Sequence, residues 1–312
     1  MDDPGLIDDP GLRDARKRRA AALSIASNAT LISLKVIAGI ATGSVAILTE
    51  AVHSGTDLIA SITAFVSVRK AGEPADADHL YGHEKIENLA GAIEGTLILF
   101  GAAIITYEAL VRLAKGGHHV HRIGAGIVVI GVSMVANVVV SRIVGRSARQ
   151  TASAALEADA AHLSADAVSS AAVLIGLALV AATGAQWLDP AIALAVAAWI
   201  ALAGTRVLLR ASRTLVDEAL PEVELEEIRS TIRELGADRG VVGFHKLRAR
   251  RAGARRYVDV HLQFGAGTTL ESAHEIAHEL TRAIGAQLPG SDVLVHVEPE
   301  DRLEPGTELR RD

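Results

Sequence analysis

The chain has 312 residues, of which 50% are hydrophobic, 22% charged and 3% aromatic, and it contains no cysteine. The lack of cysteine excludes a disulfide-stabilised secreted scaffold and a thiolate metal site. The formal charge of −6 gives no general attraction to nucleic acid. A mean hydropathy of +0.30 argues against a mainly disordered chain and is typical of a membrane protein with a polar appendage.

The chain begins with an acidic segment, MDDPGLIDDPGL, that Pro and Gly interrupt twice. This segment lacks the basic start and the cleavage site of a signal peptide, so we expect the first span to direct membrane insertion. We predict that residues 1–12 form a disordered acidic tail and that a membrane domain follows at residues 13–210.

Six segments are apolar over the roughly 20 residues that are needed to cross about 30 Å of hydrocarbon. They lie near residues 21–41, 45–68, 89–111, 123–144, 163–183 and 187–209. Short Gly-containing turns separate spans one and two and spans five and six, which favours antiparallel helix hairpins. The sequence therefore predicts a bundle of six transmembrane helices.

Basic residues flank these spans asymmetrically. They precede span one, follow span six and occupy the loops between spans two and three and between spans four and five. Among the opposite loops, the one between spans three and four carries Arg112, Lys115 and Arg122, and the two hairpin turns carry none. The positive-inside rule therefore places both termini in the cytoplasm. The preference for Arg and the short loops favour a bacterial inner membrane.

Beyond residue 211 the long apolar runs give way to short amphipathic ones. The predicted elements are a helix at 222–235, strands at 241–250 and 257–264, a helix that a capping box of Thr268 and Glu271 opens and that ends near 287, and a strand at 292–298. The order αββαβ predicts a small α+β domain at residues 211–300 with helices on one face of a sheet. A polar C-terminal tail is expected at 301–312.

Two spans carry the same pair of ionisable residues at membrane depth. Span two contains His53 and Asp57, and span five contains His162 and Asp166, each pair at spacing i, i+4. This spacing places both side chains of a pair on one helix face. Two imidazoles and two carboxylates form a tetrahedral set suited to Zn²⁺. Because charges at membrane depth are costly and usually functional, we favour a metal site over a role in bonding neighbouring helices.

Further histidines and acids cluster outside the spans. The loop between spans two and three carries Asp76, His79 and His83, which form either an incomplete metal site or solvated loop residues. The tail carries ligand-type residues on separate elements, which suggest a metal site that forms on folding, with scattered surface histidines as the alternative: His245, His261, His274, His296 and Glu298. The tract of His118, His119 and His121 is interpreted as a flexible solvated segment, and its role is left open.

Together these features resemble the cation diffusion facilitator family. The resemblance depends on the six spans, the two HxxxD pairs, the sequence DADHLYGHEKIE at residues 76–87 and the αββαβ tail, and it covers roughly residues 13–300. It implies a divalent-cation/proton antiporter that works as a homodimer in lipid and exports metal from the cytoplasm.

The same resemblance implies three groups of metal ligands and a role for the tail. The transport site matches His53, Asp57, His162 and Asp166; the loop site matches Asp76, His79 and His83; and the cytoplasmic sites match His245, His261, His274, His296 and Glu298. The tail is expected to sense cytoplasmic metal. Histidine at the first transport position resembles the zinc-preferring pattern, and imidazoles favour Zn²⁺ over harder Mn²⁺. Cd²⁺, Co²⁺, Fe²⁺ and Mn²⁺ stay open as alternatives.

One motif favours a different class of protein. The segment His274-Glu275-Ile276-Ala277-His278 matches the zinc-peptidase signature HExxH, with Glu275 as the general base. A membrane metallopeptidase is therefore one alternative, and a membrane-anchored metal sensor without transport is another. Against the peptidase, the charged Glu279 follows the second histidine, the tail leaves little room for a peptide cleft, and the HxxxD pairs stay unexplained. We expect a transporter rather than an enzyme.

Overall fold

A computed structural model describes residues 9–43, 45–115, 124–237, 239–300 and 308–309. The chain divides into two compact units, Met1–Ser212 and Arg213–Asp312. The first eight residues of the predicted acidic tail, the histidine tract around residue 119 and most of the predicted polar C-terminal tail lie outside the described residues.

The first unit is an α-helical bundle. Its six long helices are α1 (Pro10–Thr42), α2 (Val45–Ala71), α3 (Lys85–Lys115), α4 (Gly124–Thr151), α5 (Ala154–Thr183) and α6 (Leu188–Leu215). Within the described residues, α1 and α3–α6 are long and apolar enough to cross a membrane. The remaining helix, α2, has 27 residues. At 1.5 Å per residue it reaches about 40 Å, which is also sufficient for a span.

The helix ends follow from local chemistry. The Asp9 carboxylate accepts the backbone N–H groups of Gly11 and Leu12, so α1 begins at Pro10, ahead of the predicted start of the membrane domain. Gly43 and Gly184 adopt φ values of 62° and 72° and donate their N–H groups back to the last turns of α1 and α5. Glycine adopts this left-handed conformation without a Cβ clash. These two caps produce the tight turns that the sequence predicts.

Small residues permit close packing of the bundle. Buried alanines and leucines of α1 and α5, among them Ala21, Leu156 and Leu163, pack with Val144 of α4 in one core cluster. At Gly95 of α3, an added Cβ would lie 2.8 Å from the backbone nitrogen of Leu208. Close helix contact inside a membrane depends on such small residues.

The second unit contains every element of the predicted αββαβ order. These elements are α7 (Glu222–Gly236), β1 (Val241–Ala252), β2 (Arg255–Phe264), α8 (Leu270–Gln287) and β3 (Ser291–Pro299), followed by a short β4 (Glu308–Leu309). The strand order is β3-β2-β1-β4, with β1 and β2 antiparallel and β2 and β3 parallel. The described part of the expected polar tail thus pairs with the open edge of β1 at Gly243 and Phe244.

The core of this unit lies between the helices and one face of the sheet, as predicted. Val258, Val260 and Leu262 of β2 are at most 1% exposed and pack in one cluster with Leu280 and other residues of α7 and α8. Alternate residues of β2 therefore face away from the helices.

The start of α8 differs from the prediction by one residue. Thr269, rather than Thr268, caps the helix, because its backbone is extended and its hydroxyl accepts the N–H of Ser272.

Candidate metal sites

Helices α2 and α5 bring three of the four predicted transport-site residues together. One ligand atom each from Asp57, His162 and Asp166 lies within 4.8 Å of the others. His162 Nε2 is 3.3 Å from Asp57 Oδ1 and 3.8 Å from Asp166 Oδ2. Asp57 and His162 are 7% and 9% exposed. An imidazole between two carboxylates in a buried site can exchange a proton for a divalent cation.

The fourth residue of that set, His53, belongs to α2, and its backbone lies one turn before that of Asp57. Its side chain is outside the described part of the structure. Nearby, the buried Lys35 of α1 donates to Ser54 Oγ of α2 at 2.6 Å.

The loop between α2 and α3 places Asp76, His79 and His83 in one cluster. Ligand atoms of these three residues lie within 4.8 Å of one another, and the two imidazole centroids are 4.5 Å apart. His83 is buried, whereas Asp76 and His79 are exposed. The exposure of Asp76 and His79 leaves one side of the cluster open for water or an additional ligand.

Backbone bonds prepare Asp76 for this position. Its Oδ1 accepts the N–H groups of His79 at 2.7 Å and of Asp78 at 3.0 Å, together with the ring Nδ1 of His79 at 3.1 Å. These bonds, the backbone bond from His79 above all, lower the pKa of Asp76 below its usual value. The carboxylate is therefore ionised, as a metal ligand must be.

In the second unit, strand register aligns three histidines across the sheet. His245 of β1 pairs with His261 of β2, and His261 pairs with His296 of β3. The ring centroids of neighbouring histidines are 5.1 Å and 4.6 Å apart, close to the spacing of adjacent strands. All three lie on the sheet face opposite the helices, because they alternate with the core residues of β2.

Glu298 is the centre of this histidine row. Its Oε2 is 2.9 Å from His245 Nε2, and its Oε1 is 2.7 Å from His261 Nδ1 and 3.4 Å from His296 Nε2. Burial opposes ionisation of Glu298, but the bonds to His245 and His261 prevail and lower its pKa below the usual value. One carboxylate and three imidazoles form a donor set suited to Zn²⁺.

The structure does not bring His274 to this row. Its helix, α8, packs on the core face of the sheet through Ala273 and Ile276, whereas the row lies on the opposite face. His274 and His278 are exposed, with ring centroids 4.4 Å apart. Within the described residues, no group of three candidate ligands includes either of them. The HExxH pair therefore has no third ligand in the described part of the chain.

Comparison with known families identifies the class of protein. A model described as the cation efflux transmembrane domain matches residues 21–216, and one described as the cation efflux protein cytoplasmic domain matches residues 220–300. The chain belongs to the cation diffusion facilitator family, as the resemblance in the sequence indicates. It is an integral membrane protein for divalent cation efflux, and a family of transporters gives no support to the peptidase alternative.

Relatives match over nearly the whole chain. An uncharacterised transporter, sll1263, of Synechocystis is 33% identical over 95% of this chain and 97% of its own length. The cation-efflux pump FieF of Klebsiella pneumoniae is 32% identical over 90% of this chain and 92% of its own length. A solved structure of CzrB in its zinc form is 39% identical, covers 28% of this chain and 98% of its own, and has a TM-score of 0.27.

Proposed function

We propose that the protein exports Zn²⁺ from the cytoplasm in exchange for protons, through a site formed by His53, Asp57, His162 and Asp166. One observation carries the proposal. Two helices that are distant in sequence bring Asp57, His162 and Asp166 to within 4.8 Å in the interior of the bundle. The identical spacing of the HxxxD pairs places His53 on the same helix as Asp57, one turn away.

The exchange follows from the chemistry of the ligands. Imidazole must be neutral and carboxylate ionised to bind a cation, so metal and protons compete for the same atoms. With the site open to the cytoplasm Zn²⁺ displaces protons, and with the site open outward protons return and promote metal release.

The donor set determines which metal the site prefers. Two imidazoles with two carboxylates suit a borderline cation such as Zn²⁺, whereas Mn²⁺ prefers oxygen ligands. Cd²⁺, Co²⁺ and Fe²⁺ are the other candidates, and flux measured with each of them ranks the selectivity.

We also propose that the protein is a homodimer whose cytoplasmic domains sense metal. His245, His261, His296 and Glu298 would form one side of a site, with the exposed His274 of a second copy as a further ligand. Support comes from the sheet, which separates His274 from the histidine row of its own chain. Metal shared by two copies would draw the domains together and bias the equilibrium of the bundle.

The proposed location is a bacterial inner membrane with both termini in the cytoplasm. The positive-inside distribution of Lys and Arg supports this orientation. It places the 13–210 membrane domain in lipid, and the loop cluster of Asp76, His79 and His83 on the cytoplasmic side together with the 211–300 domain. Both the loop cluster and the histidine row would then be open to cytoplasmic metal.

The test is zinc flux into proteoliposomes under an imposed pH gradient. We expect flux that follows the gradient in the wild type and is absent in Asp57→Ala. Glu108→Ala is the control, because Glu108 is an exposed acid of α3 that pairs with Arg112 by i, i+4 spacing and should not affect flux. Wild-type flux in Asp57→Ala, or no flux of any divalent metal in folded wild-type protein, would contradict the proposal.

A further inference from the structure

A second buried polar layer lies beside the transport site. Asp159 of α5 is fully buried, and its Oδ1 accepts the hydroxyl groups of Ser24 at 3.0 Å and of Ser61 at 3.2 Å. Asn28 donates to Ser61 Oγ at 2.8 Å. These bonds connect α1, α2 and α5, and none of the residues belongs to the metal-ligand set.

The layer lies one helical turn from the metal ligands. Ser61 follows Asp57 by four residues on α2, and Asp159 precedes His162 by three on α5. Positions three and four apart share a helix face, so both helices present the layer directly beside the site. The contact between Ser61 and Asp159 joins the same two helices as the contact between Asp57 and His162. It lies one turn closer to the C-terminal end of α2 and to the N-terminal end of α5.

A second buried carboxyl group, Glu94, lies on α3, which packs against α5 in a core cluster of Ile98, Ala102 and Ala165. Its side chain is 0% exposed, and within the described residues neither of its carboxyl oxygens has a hydrogen-bond partner. Asp159 Oδ2 is also without one. The charges of Asp159 and His162 both act on Glu94. Two buried carboxylates without a cation repel each other and lose their hydration, so a proton bound by the pair relieves both penalties.

Other buried charged groups of α1 and α3 have bonding partners outside the pair. Lys17 of α1 and Glu87 of α3 bond to each other at 2.6 Å. Lys35 bonds to Ser54. The buried residues of α4 and α6 include no charged side chain among the described positions. The groups left to act on the pair are those of the metal site: Asp57, His162 and Asp166.

We propose that the pair of Glu94 and Asp159 binds one proton and forms a proton-binding site distinct from the metal ligands. In the metal-free protein Glu94 is the neutral acid and Asp159, with its two hydroxyl donors, is the carboxylate. A divalent cation one turn away favours the doubly ionised pair, so the Glu94 O–H bond breaks and the proton passes to water. When the cation leaves, the pair binds a proton again. This inference rests on the proposed antiport and adds a proton to it.

The test measures zinc and proton fluxes together in proteoliposomes of the full chain, with one fluorescent dye for each ion. In Glu94→Gln we expect zinc to flow down its own gradient while the number of protons moved per zinc falls by about one. The matched control is Glu108→Gln, an exposed acid on the same helix, and both fluxes should equal those of the wild type.

The outcomes separate this inference from the proposed function. An unchanged proton-to-zinc ratio in Glu94→Gln, or complete loss of zinc flux in the folded variant, would overturn the proton site and leave the antiport intact. Wild-type zinc flux without proton movement would instead contradict the antiport. If Glu94→Gln does not fold, the double variant Ser24→Ala, Ser61→Ala removes the donors to Asp159. We expect its pH profile for zinc flux to shift to higher pH, and an unshifted profile would overturn the inference.

Discussion

The membrane site and the cytoplasmic site use the same ligand types in different proportions. In the bundle, one described imidazole, His162, lies between the two carboxylates of Asp57 and Asp166. In the cytoplasmic unit, three imidazoles surround the single carboxylate of Glu298. Two carboxylates can neutralise a divalent cation in a medium of low dielectric, where an uncompensated charge is costly. A site on the open face of a sheet has water nearby and needs less charge.

This difference suggests different tasks. Balancing charge inside the membrane ties metal binding to proton release, which suits a site that must empty during each cycle. The histidine row has no such constraint, and a row of imidazoles with one ionised carboxylate suits a site that holds its ion.

The largest expected effect is in the membrane site. Asp166→Ala removes one of two charges that compensate the cation, so we expect zinc flux to fall to the level of empty liposomes while the protein keeps its fold. Circular dichroism and flux on the same preparation measure this. Asp189→Ala is the matched control, because this acid of α6 pairs with Arg112 outside the site and should retain flux. Substantial zinc flux in Asp166→Ala would show that the membrane site does not need both carboxylates.

A smaller effect is expected in the cytoplasmic site. Glu298→Ala removes the group that three histidines share, so zinc affinity there should fall by at least about 10-fold, as occurs on loss of even an indirect metal contact. Zinc titration in an Asp57→Ala, His83→Ala background isolates this site. Asp259→Ala, a neighbouring acid on β2 that pairs with Arg248, is the control. Equal affinity in the two variants would show that Glu298 is not a ligand.

The pH dependence of zinc at this site should come from histidine. The pKa of Glu298 is lower in the folded protein than its usual value. The ionised carboxylate therefore stabilises the fold fully at a pH above the usual pKa, and this stabilisation is lost as the pH falls through the lowered pKa. Between pH 7 and about 5 the carboxylate stays charged, so a change in zinc binding in that range belongs to the other ligands. We expect zinc release in that window in an Asp57→Ala, His83→Ala background. A release midpoint below about pH 4 would assign the change to the carboxylate.

The smallest effect concerns packing of the bundle. Gly95→Ala places a Cβ 2.8 Å from the backbone of Leu208, so α3 and α6 must separate. Overpacking of this kind costs about 1–3 kcal/mol. Gly101→Ala on the same helix is the control, because nothing lies within 4 Å of its added Cβ. Thermal unfolding in detergent should show a lower midpoint for Gly95→Ala, and equal midpoints would contradict the close contact.

Local sequence patterns predict many features of this structure. The i, i+4 spacing places Asp57 one turn from His53. Alternation along β2 places Val260 and His261 on opposite faces of the sheet, and Val260 lies on the core face in the structure. The predicted cap of α8 was wrong by one residue, because only Thr268 has Glu three positions later, whereas the backbone conformation makes Thr269 the cap. The pairing of residues 308–309 with β1 has no local signal, because an open strand edge accepts many sequences.

The sequence by itself thus determined the ligand types, through the residues present. It also determined the elements and their faces, since these depend on the period of a helix or strand. Only the tertiary structure decided which faces meet. His261 and His296 belong to strands that α8 separates in sequence, so helix packing fixes their register. The same holds for Asp159, which has no distinctive spacing and becomes notable only where Ser24, Ser61 and Glu94 converge around it. Contacts between distant segments depend on how whole elements pack, and no local period encodes that.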